Sequence, residues 1–480
     1  MGSGGARDVM FGAFATEDDD QVDPFVCLDR AATHRRPPIV IVRTVPSTRV
    51  RILASAAATS IGGRLVGPDV EFDGASFDSR LVRPGQLFIP IVADRNGHEY
   101  IETAISAGAA AYLTSQPEHA AEAGTSIEVD DTAVALMALA AWARSQSVGK
   151  VIGVTGSVGK TSTKDLIAAA CASGLRTAAN ERSFNNEQGL PITVLNAPDD
   201  TEVLVLEMGM RGFGEITRLC DVAQPDIGVV TAVGHSHTER VGGIEGVAKA
   251  KKELVEALDA SGTAILNADD ERVLAMARHA HATVLTYGTS ADVRLSGLEL
   301  DALARPRFRV DTPWGNADVE LATSGAHMAS NAAAAIAVAG SVGVSLNAAV
   351  EALATASISG MRMEVSTAPS GATVINDAYN ANPTSMGAAL EALAAMEADR
   401  RIAILGLMGE LDDDVEGHRE VARIAETLGV QVVATGTDLY GVRPTDDPVA
   451  FIGNFQAGDV VLVKASRSAG LERVVNELLN

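Results

Sequence analysis

Lysine is scarce in this chain of 480 residues. Only Lys150, Lys160, Lys164, Lys249, Lys251, Lys252 and Lys464 are present among 38 basic side chains, the rest being arginine. Acidic side chains number 62, so the formal net charge is −24. That balance argues against nucleic acid or an anionic membrane as the main partner, because both are polyanions that recruit Lys and Arg. The overall bias toward Ala, Gly and Arg is that of a GC-rich genome, and each lysine cluster needs its own explanation.

Cysteine is scarcer still. Cys27, Cys171 and Cys220 are far apart, odd in number and form no CxxC, so neither a disulfide scaffold nor a structural zinc site is supported. A reducing, cytoplasmic setting is expected. The most apolar stretches, such as Ala332 to Ala339 and Ala133 to Ala143, fall short of the roughly 18 to 20 residues a membrane span needs. They read as buried helices, no stable membrane insertion is expected, and the expected state is a monomer. The first 47 residues lack the basic, apolar and small-residue order of a signal peptide. Their Gly-rich start, acidic run Glu17 to Asp20 and His34-Arg35-Arg36-Pro37-Pro38 read as a disordered extension or a misassigned start.

What is present is ample for folding: 47% hydrophobic residues and a length that suggests two to four domains at roughly 100 to 200 residues each. From Arg49 to Val148, strand-like runs (Gln86 to Ile91) alternate with Ala-rich helical ones (Tyr100 to Ala107, Ala133 to Ser145). From Val151 to Gly343, strand, glycine turn and helix recur in VIGVTG, VLVLEMG, IGVVTAVG and TAILNADD. This is the pattern of a mostly parallel sheet covered by helices. It restarts after Ser359 with TVINDAY, RIAILGLMG, VQVVATG and DVVLVKAS.

The strongest local signal is Gly153-Val154-Thr155-Gly156-Ser157-Val158-Gly159-Lys160-Thr161-Ser162, after an apolar strand and before a helix-forming run. Its glycines let backbone N–H groups turn toward phosphate oxygens, the helix N-terminus adds positive charge, and Lys160 can span terminal phosphates. Thr161 is placed to hold magnesium. The strict GxxxxGK[ST] pattern is not met, since Val154 stands where it requires glycine. The bland alternative is a Gly-rich turn with an incidental lysine.

Downstream, Glu207 ends the strand VLVLEMG, where an acid can reach a metal over the phosphate loop, because open α/β sheets bind ligands at the carboxyl ends of their strands. His237 follows the strand IGVVTAVG and could share a second magnesium, or manganese, with substrate oxygens. The run Gly246 to Leu254 holds Lys249, Lys251 and Lys252, and a solvated helix face accounts for the first and last of these.

These residues resemble the Mur ligase family, the ATP-dependent amide ligases of peptidoglycan stem-peptide synthesis. The matching features, in order, are GxTGxxGKT at 153 to 161, Glu207, His237, Lys251 in AKxEL, NADD at Asn267 to Asp270, GxHxxxN at Gly325, His327 and Asn331, Arg362, and Asp377 before Tyr-Asn-x-Asn-Pro. Within the family the likeness is greatest to members that add D-alanyl-D-alanine. It is carried by Ser183 to Pro191, Glu207 to Arg211, Asp377 to Pro383, and Gly406 to Leu411 followed by His418. The DNPR motif of diaminopimelate-adding members is absent.

The resemblance implies an α/β chain of three domains, with a central P-loop-type, mostly parallel sheet and a C-terminal Rossmann-like domain. After the extension at 1–47 would come a UDP-substrate-binding domain at 48–148, an ATP-binding domain at 149–355, and a C-terminal domain at 356–480 with acceptor and adenosine contacts. The implied reaction joins D-alanyl-D-alanine to UDP-N-acetylmuramoyl-tripeptide through an acyl phosphate, with ATP and two magnesium ions. Gly156, Ser157, Val158, Gly159, Lys160, Thr161 and Ser162 would hold the ATP phosphates. Thr161 and Glu207 would hold one metal, and His237 the other together with Lys251 as a carbamate. Asn267, Asn331, Arg362 and Asp377 would meet adenine and ribose. Ser79 and Arg80 would receive the uridine nucleotide, Asn185 and Asn186 would face the substrate, and Asn380 and Asn382 would contribute from the C-terminal domain.

Three features depart from the family pattern. Ala232 stands where many relatives have asparagine, Asn96 replaces an aspartate before Gly97-His98, and the extension has no counterpart. The rival readings are a paralogue with another amino-acid or dipeptide acceptor and a non-catalytic nucleotide-binding regulator. Intact Lys160, Glu207, His237 and Lys251 argue against the second.

Overall fold

The computed structural model describes residues 51–119, 124–147, 149–181, 184–234, 238–409, 411 and 414–480. The extension at 1–47, His237, Ser183 and Glu410 lie outside the described residues. Among the described residues three larger sheets follow one another, each with helices packed on it, in the α/β class expected, and a two-stranded ribbon pairs Arg51–Leu53 antiparallel with Glu71–Asp73.

In the first sheet, the strands Ala75–Ser76, Leu87–Phe88, Ala111–Thr114 and Thr125–Glu128 are parallel neighbours, and Arg64–Val66 adds antiparallel to the last. Ser79 and Arg80 follow the carboxyl end of its edge strand. The run expected as a strand at Gln86 to Ile91 shortens to Leu87–Phe88, although Gln86 and Ile89 are also buried.

The central sheet has nine strands among the described residues. Seven run parallel in the order Thr177–Ala179, Val203–Glu207, Lys150–Thr155, Ile227–Val230, Thr263–Asn267, Thr283–Gly288 and Val293–Leu300. Pro306–Thr312 and Gly315–Glu320 then extend it antiparallel. Its middle strands read as unbroken apolar runs because helices cover both faces. All five residues of Val203–Glu207 are buried, the terminal carboxylate included.

The helix His327–Ser341 packs on the phosphate-loop helix Lys160–Ala172. Its alanines from Ala332 to Ala335 are fully buried, so small side chains let the two backbones come close. A leucine at Ala334 would overpack this contact, at a cost of about 1 to 3 kcal/mol. The helix Thr132–Ser145 is amphipathic instead: Leu136 and Leu139 are buried while Val134 is exposed. Its buried face packs on the helices Gly189–Asn196 and Glu215–Ala223 of the central sheet, giving one continuous apolar core.

The third sheet orders Thr373–Asp377, Asp459–Lys464, Arg400–Leu405 and Gln431–Ala434 in parallel, with Glu364–Thr367 antiparallel at one edge. Among the described residues, no helix is long and apolar enough to cross a membrane.

Candidate functional site

Strand order brings the site together. Lys150–Thr155 lies between Val203–Glu207 and Ile227–Val230, so the segments leaving all three strands converge at their carboxyl ends, where open α/β sheets bind ligands. The loop Gly156 to Gly159 then enters the helix Lys160–Ala172. Gly159 is its N-cap with φ +79°, and any Cβ there would stand 2.9 Å from Asn331 Oδ1. A side chain at Gly156 would collide with Thr231 Oγ1. Both glycines therefore serve close approach as well as backbone shape.

The next segment supports the loop from below. Ser157 N–H donates to Ala232 O at 2.8 Å, Ser157 Oγ donates to Gly234 O at 3.0 Å, and Thr231 Oγ1 donates to Val158 O at 2.6 Å. Ala232 takes part through its carbonyl, a contact that does not depend on its side chain. Asn267 also works here: Nδ2 donates to Thr231 O at 2.8 Å and Oδ1 accepts from Asp269 N–H at 3.0 Å. The Lys160 ammonium lies over the loop and donates to Gly156 O at 2.6 Å and Ser157 O at 3.4 Å.

Glu207 is 1% exposed, and a buried carboxylate needs partners. Thr161 Oγ1 donates to its Oε2 at 2.6 Å and Asn185 Nδ2 to its Oε1 at 2.7 Å, while Glu207 N–H donates to Asn180 Oδ1 at 2.9 Å. The hydroxyl and carboxylate predicted to share a metal are thus in contact. Among the described residues no group of three or more His, Cys, Asp or Glu side chains forms a metal cluster.

Lys251 is buried in the helix Ile244–Glu256, and no described residue forms a hydrogen bond or ion pair with its ammonium group. Desolvation, reinforced by the nearby charge of Lys160, holds its pKa well below the usual lysine value.

Several of the remaining expected site residues have internal partners. Asn186 Oδ1 accepts from Gln188 N–H at 3.1 Å and Gly189 N–H at 2.9 Å, in the turn that enters the helix Gly189–Asn196. Asn382 caps the helix Pro383–Ala395 in a capping box with Ser385. Gly234 faces the next residue of that helix, with Thr384 Oγ1 2.8 Å from where its Cβ would be. The third sheet's helix therefore abuts the segment that supports the phosphate loop. Arg362 lies over the Tyr379 ring at 4.2 Å. Asp377 pairs with Lys464 at 2.6 Å, and the same ammonium donates to Asn380 O at 2.8 Å. Desolvation keeps the half-buried His327 below the ordinary histidine range. Asp377 opposes that shift and Lys464 adds to it. In the first sheet's loop, Arg80 clamps Asp78 through Nε–Oδ1 at 2.9 Å and Nη2–Oδ2 at 2.7 Å, and Ser79 beside them is buried.

Lys464 and Lys164 are buried lysines to which the sequence alone assigned no role. Their scarcity was the available signal, but Lys464 meets its partner Asp377 only across 87 residues of chain.

Residues 154–339 match the Mur ligase middle domain and 361–467 match the Mur ligase glutamate ligase domain. The UDP-N-acetylmuramoyl-tripeptide–D-alanyl-D-alanine ligase of Mycobacterium tuberculosis is 38% identical over 84% of this chain and 91% of its own. MurF from Acinetobacter baumannii superimposes with a TM-score of 0.81 at 26% identity, over 91% of this chain and 100% of that one. MurF from Thermotoga maritima, solved in complex with ADP, gives 0.76 at 26% identity, over 85% and 97%. With both family domains in sequence order and relatives this similar over most of its length, the chain belongs to the Mur ligase family.

Proposed function

We propose that this protein is an ADP-forming amide ligase that joins D-alanyl-D-alanine to UDP-N-acetylmuramoyl-tripeptide, giving the pentapeptide precursor for peptidoglycan synthesis. The observation that carries the reading is the buried contact of Thr161 with Glu207 beside the phosphate loop, in a chain whose relatives bear that activity's name.

Two hard oxygen donors 2.6 Å apart suit magnesium, and Thr161 and Glu207 would hold one ion. His237 and Lys251 would hold a second. Magnesium, when bound, offsets the charge crowding of a carboxylate against a triphosphate. The amides of Gly156 to Ser162 and the Lys160 ammonium would bind the ATP phosphates, with Lys160 countering the charge that builds on the transferred group. The tripeptide carboxylate attacks the γ-phosphorus, ADP departs, and an acyl phosphate forms. The amine of the dipeptide then attacks that carbonyl, giving up a proton as phosphate leaves.

The desolvation of Lys251 supports its modification. Only a neutral amine adds carbon dioxide, and burial favours that form. Addition with loss of one proton to solvent gives an anionic carbamate, which would reverse the local charge and supply an oxygen ligand for a metal.

Asn331, Arg362 and Asp377 would meet the nucleoside, and Ser79 and Arg80 the uridine diphosphate. The turn bonds of Asn186 and the helix cap of Asn382 support a positioning role for both, whereas Asn185 reaches the reacting region through Glu207. The three sheets and the two family spans support domains at 48–148, 149–355 and 356–480. ATP and a UDP-linked substrate support a cytoplasmic setting, and the acidic surface supports the absence of a nucleic-acid partner.

The test is phosphate release from ATP with UDP-N-acetylmuramoyl-tripeptide and a panel of acceptors. Release that requires D-alanyl-D-alanine is expected. Equal release with another acceptor would establish the paralogue reading, and no release the non-catalytic one.

A further inference from the structure

Lys164 lies one helical turn beyond Lys160 and is 2% exposed. A buried charge must be paired, and its partners lead in two directions. The ammonium donates to Asn180 O at 2.8 Å and pairs with Asp165 Oδ1 at 2.8 Å. On the first side, Asn180 Oδ1 accepts from Glu207 N–H. On the second, Asp165 Oδ2 accepts from Ser359 N–H at 2.7 Å and from Ser359 Oγ at 2.8 Å, a contact spanning 194 residues of chain. One hydrogen-bonded path thus joins the strand end bearing Glu207 to the connection between the second and third sheets.

That connection is unusual just past Ser359. Met361 and Met363 have φ of +59° and +51°, a left-handed region that residues with a Cβ rarely adopt. Each is held there by its N–H: Met361 donates to Glu364 Oε2 at 3.1 Å and Met363 to Asp377 Oδ1 at 3.2 Å. Ser359 is therefore tied to the phosphate-loop helix and Met363 to the third sheet, with Arg362 between the two attachments.

We propose that Lys164 and Asp165 are positioning residues that, through Ser359, hold the Arg362 segment in fixed relation to Thr161 and Glu207. Nucleoside and phosphate contacts then belong to one preorganised frame, and less ordering is left to nucleotide binding. This rests on the ATP-dependent ligation proposed above.

The test uses the full chain with Asp165→Ala, Ser359→Ala and the double variant. ADP affinity is measured by calorimetry with magnesium, alongside steady-state ligation. Asp165→Ala should weaken ADP binding and raise KM for ATP about five- to tenfold, the scale of the net contribution of one typical hydrogen bond. Ser359→Ala, which keeps its backbone donor, should do less. KM for D-alanyl-D-alanine and kcat at saturating ATP should stay within about twofold. The double variant should bind ADP no more weakly than Asp165→Ala, because the two act in series. Should Asp165→Ala fail to fold, Ser359→Ala carries the same comparison. Unchanged ADP affinity in folded variants, or equal losses toward every substrate, would overturn the inference. Acceptor-dependent turnover by the unsubstituted chain tests the underlying reading separately.

Discussion

Asp377 and Lys464, 87 residues apart, close a buried 2.6 Å ion pair at the carboxyl ends of adjacent parallel strands. The Lys464 side chain is 3% exposed and that of Asp377 12%, so neither charge has water as a substitute partner. The same ammonium holds Asn380 O, which fixes the path of the loop leading to the Asn382 cap.

Lys464→Met keeps the length of the side chain and strands the carboxylate. Stability should fall by about 3 to 5 kcal/mol, the usual cost of breaking a buried pair, read as a lower urea midpoint. KM for ATP should rise as well if Asp377 meets the nucleoside. An unchanged midpoint would mean that the pair contributes no stability.

Glu207→Gln preserves shape and removes the charge between Thr161 and Asn185. Ligation should drop by about 100- to 1000-fold in kcat, as for loss of one preorganised electrostatic group. Binding of the UDP-linked substrate, measured by calorimetry, should hold. Retention of wild-type turnover would exclude Glu207 from metal binding.

Lys251→Ala should abolish ligation, and short carboxylates such as formate or acetate should restore part of it by supplying the missing anion. The wild-type enzyme should also lose activity in carbon dioxide-depleted buffer and regain it with bicarbonate. Full activity of the alanine variant would rule out the carbamate.

A pH effect follows from His98, which is 1% exposed. Ser115 N–H donates to its Nε2 at 3.1 Å, so Nδ1 carries the proton and donates to Asn96 Oδ1 at 2.9 Å. Desolvation lowers the His98 pKa from 6.5, the charge of nearby His119 lowers it further, and Glu118 opposes them. The unfolded chain therefore binds more protons than the native one as pH falls through about 6.5 toward the native value, so stability declines in that direction. Asn96→Asp would place a carboxylate on Nδ1–H, raise the His98 pKa and flatten the decline. Urea midpoints between pH 7.5 and pH 5 would reveal it, and identical slopes for the two proteins would contradict the assignment.

The phosphate loop was legible because its chemistry is local. Glycine positions, a strand before and a helix after are contiguous, and Gly159 takes the left-handed conformation its place requires. The parallel sheets were legible for a similar reason, since strands covered on both faces read as apolar runs. Side-chain assignments across domains were less so. Asn382 caps the helix Pro383–Ala395, Asn186 Oδ1 accepts from Gln188 and Gly189 N–H, and Asn267 bonds the segment below the loop through Nδ2 and its own turn through Oδ1. An asparagine in a loop has the same letter whether it caps or binds.

The sequence by itself determined the family, the phosphate loop and the order of the sheets, because each depends on residues near one another or on periodic burial. Only the tertiary structure decided what the scarce lysines do. Lys150 bridges Asp226 at the surface, Lys249 lies over Phe213 and Lys252 pairs with Glu256. Lys164 and Lys464 are buried counter-ions, while Lys251 is buried without a described partner. The reason is electrostatic: the state of a charged side chain depends on desolvation and on partners brought together by folding, some from nearly two hundred residues away in the chain.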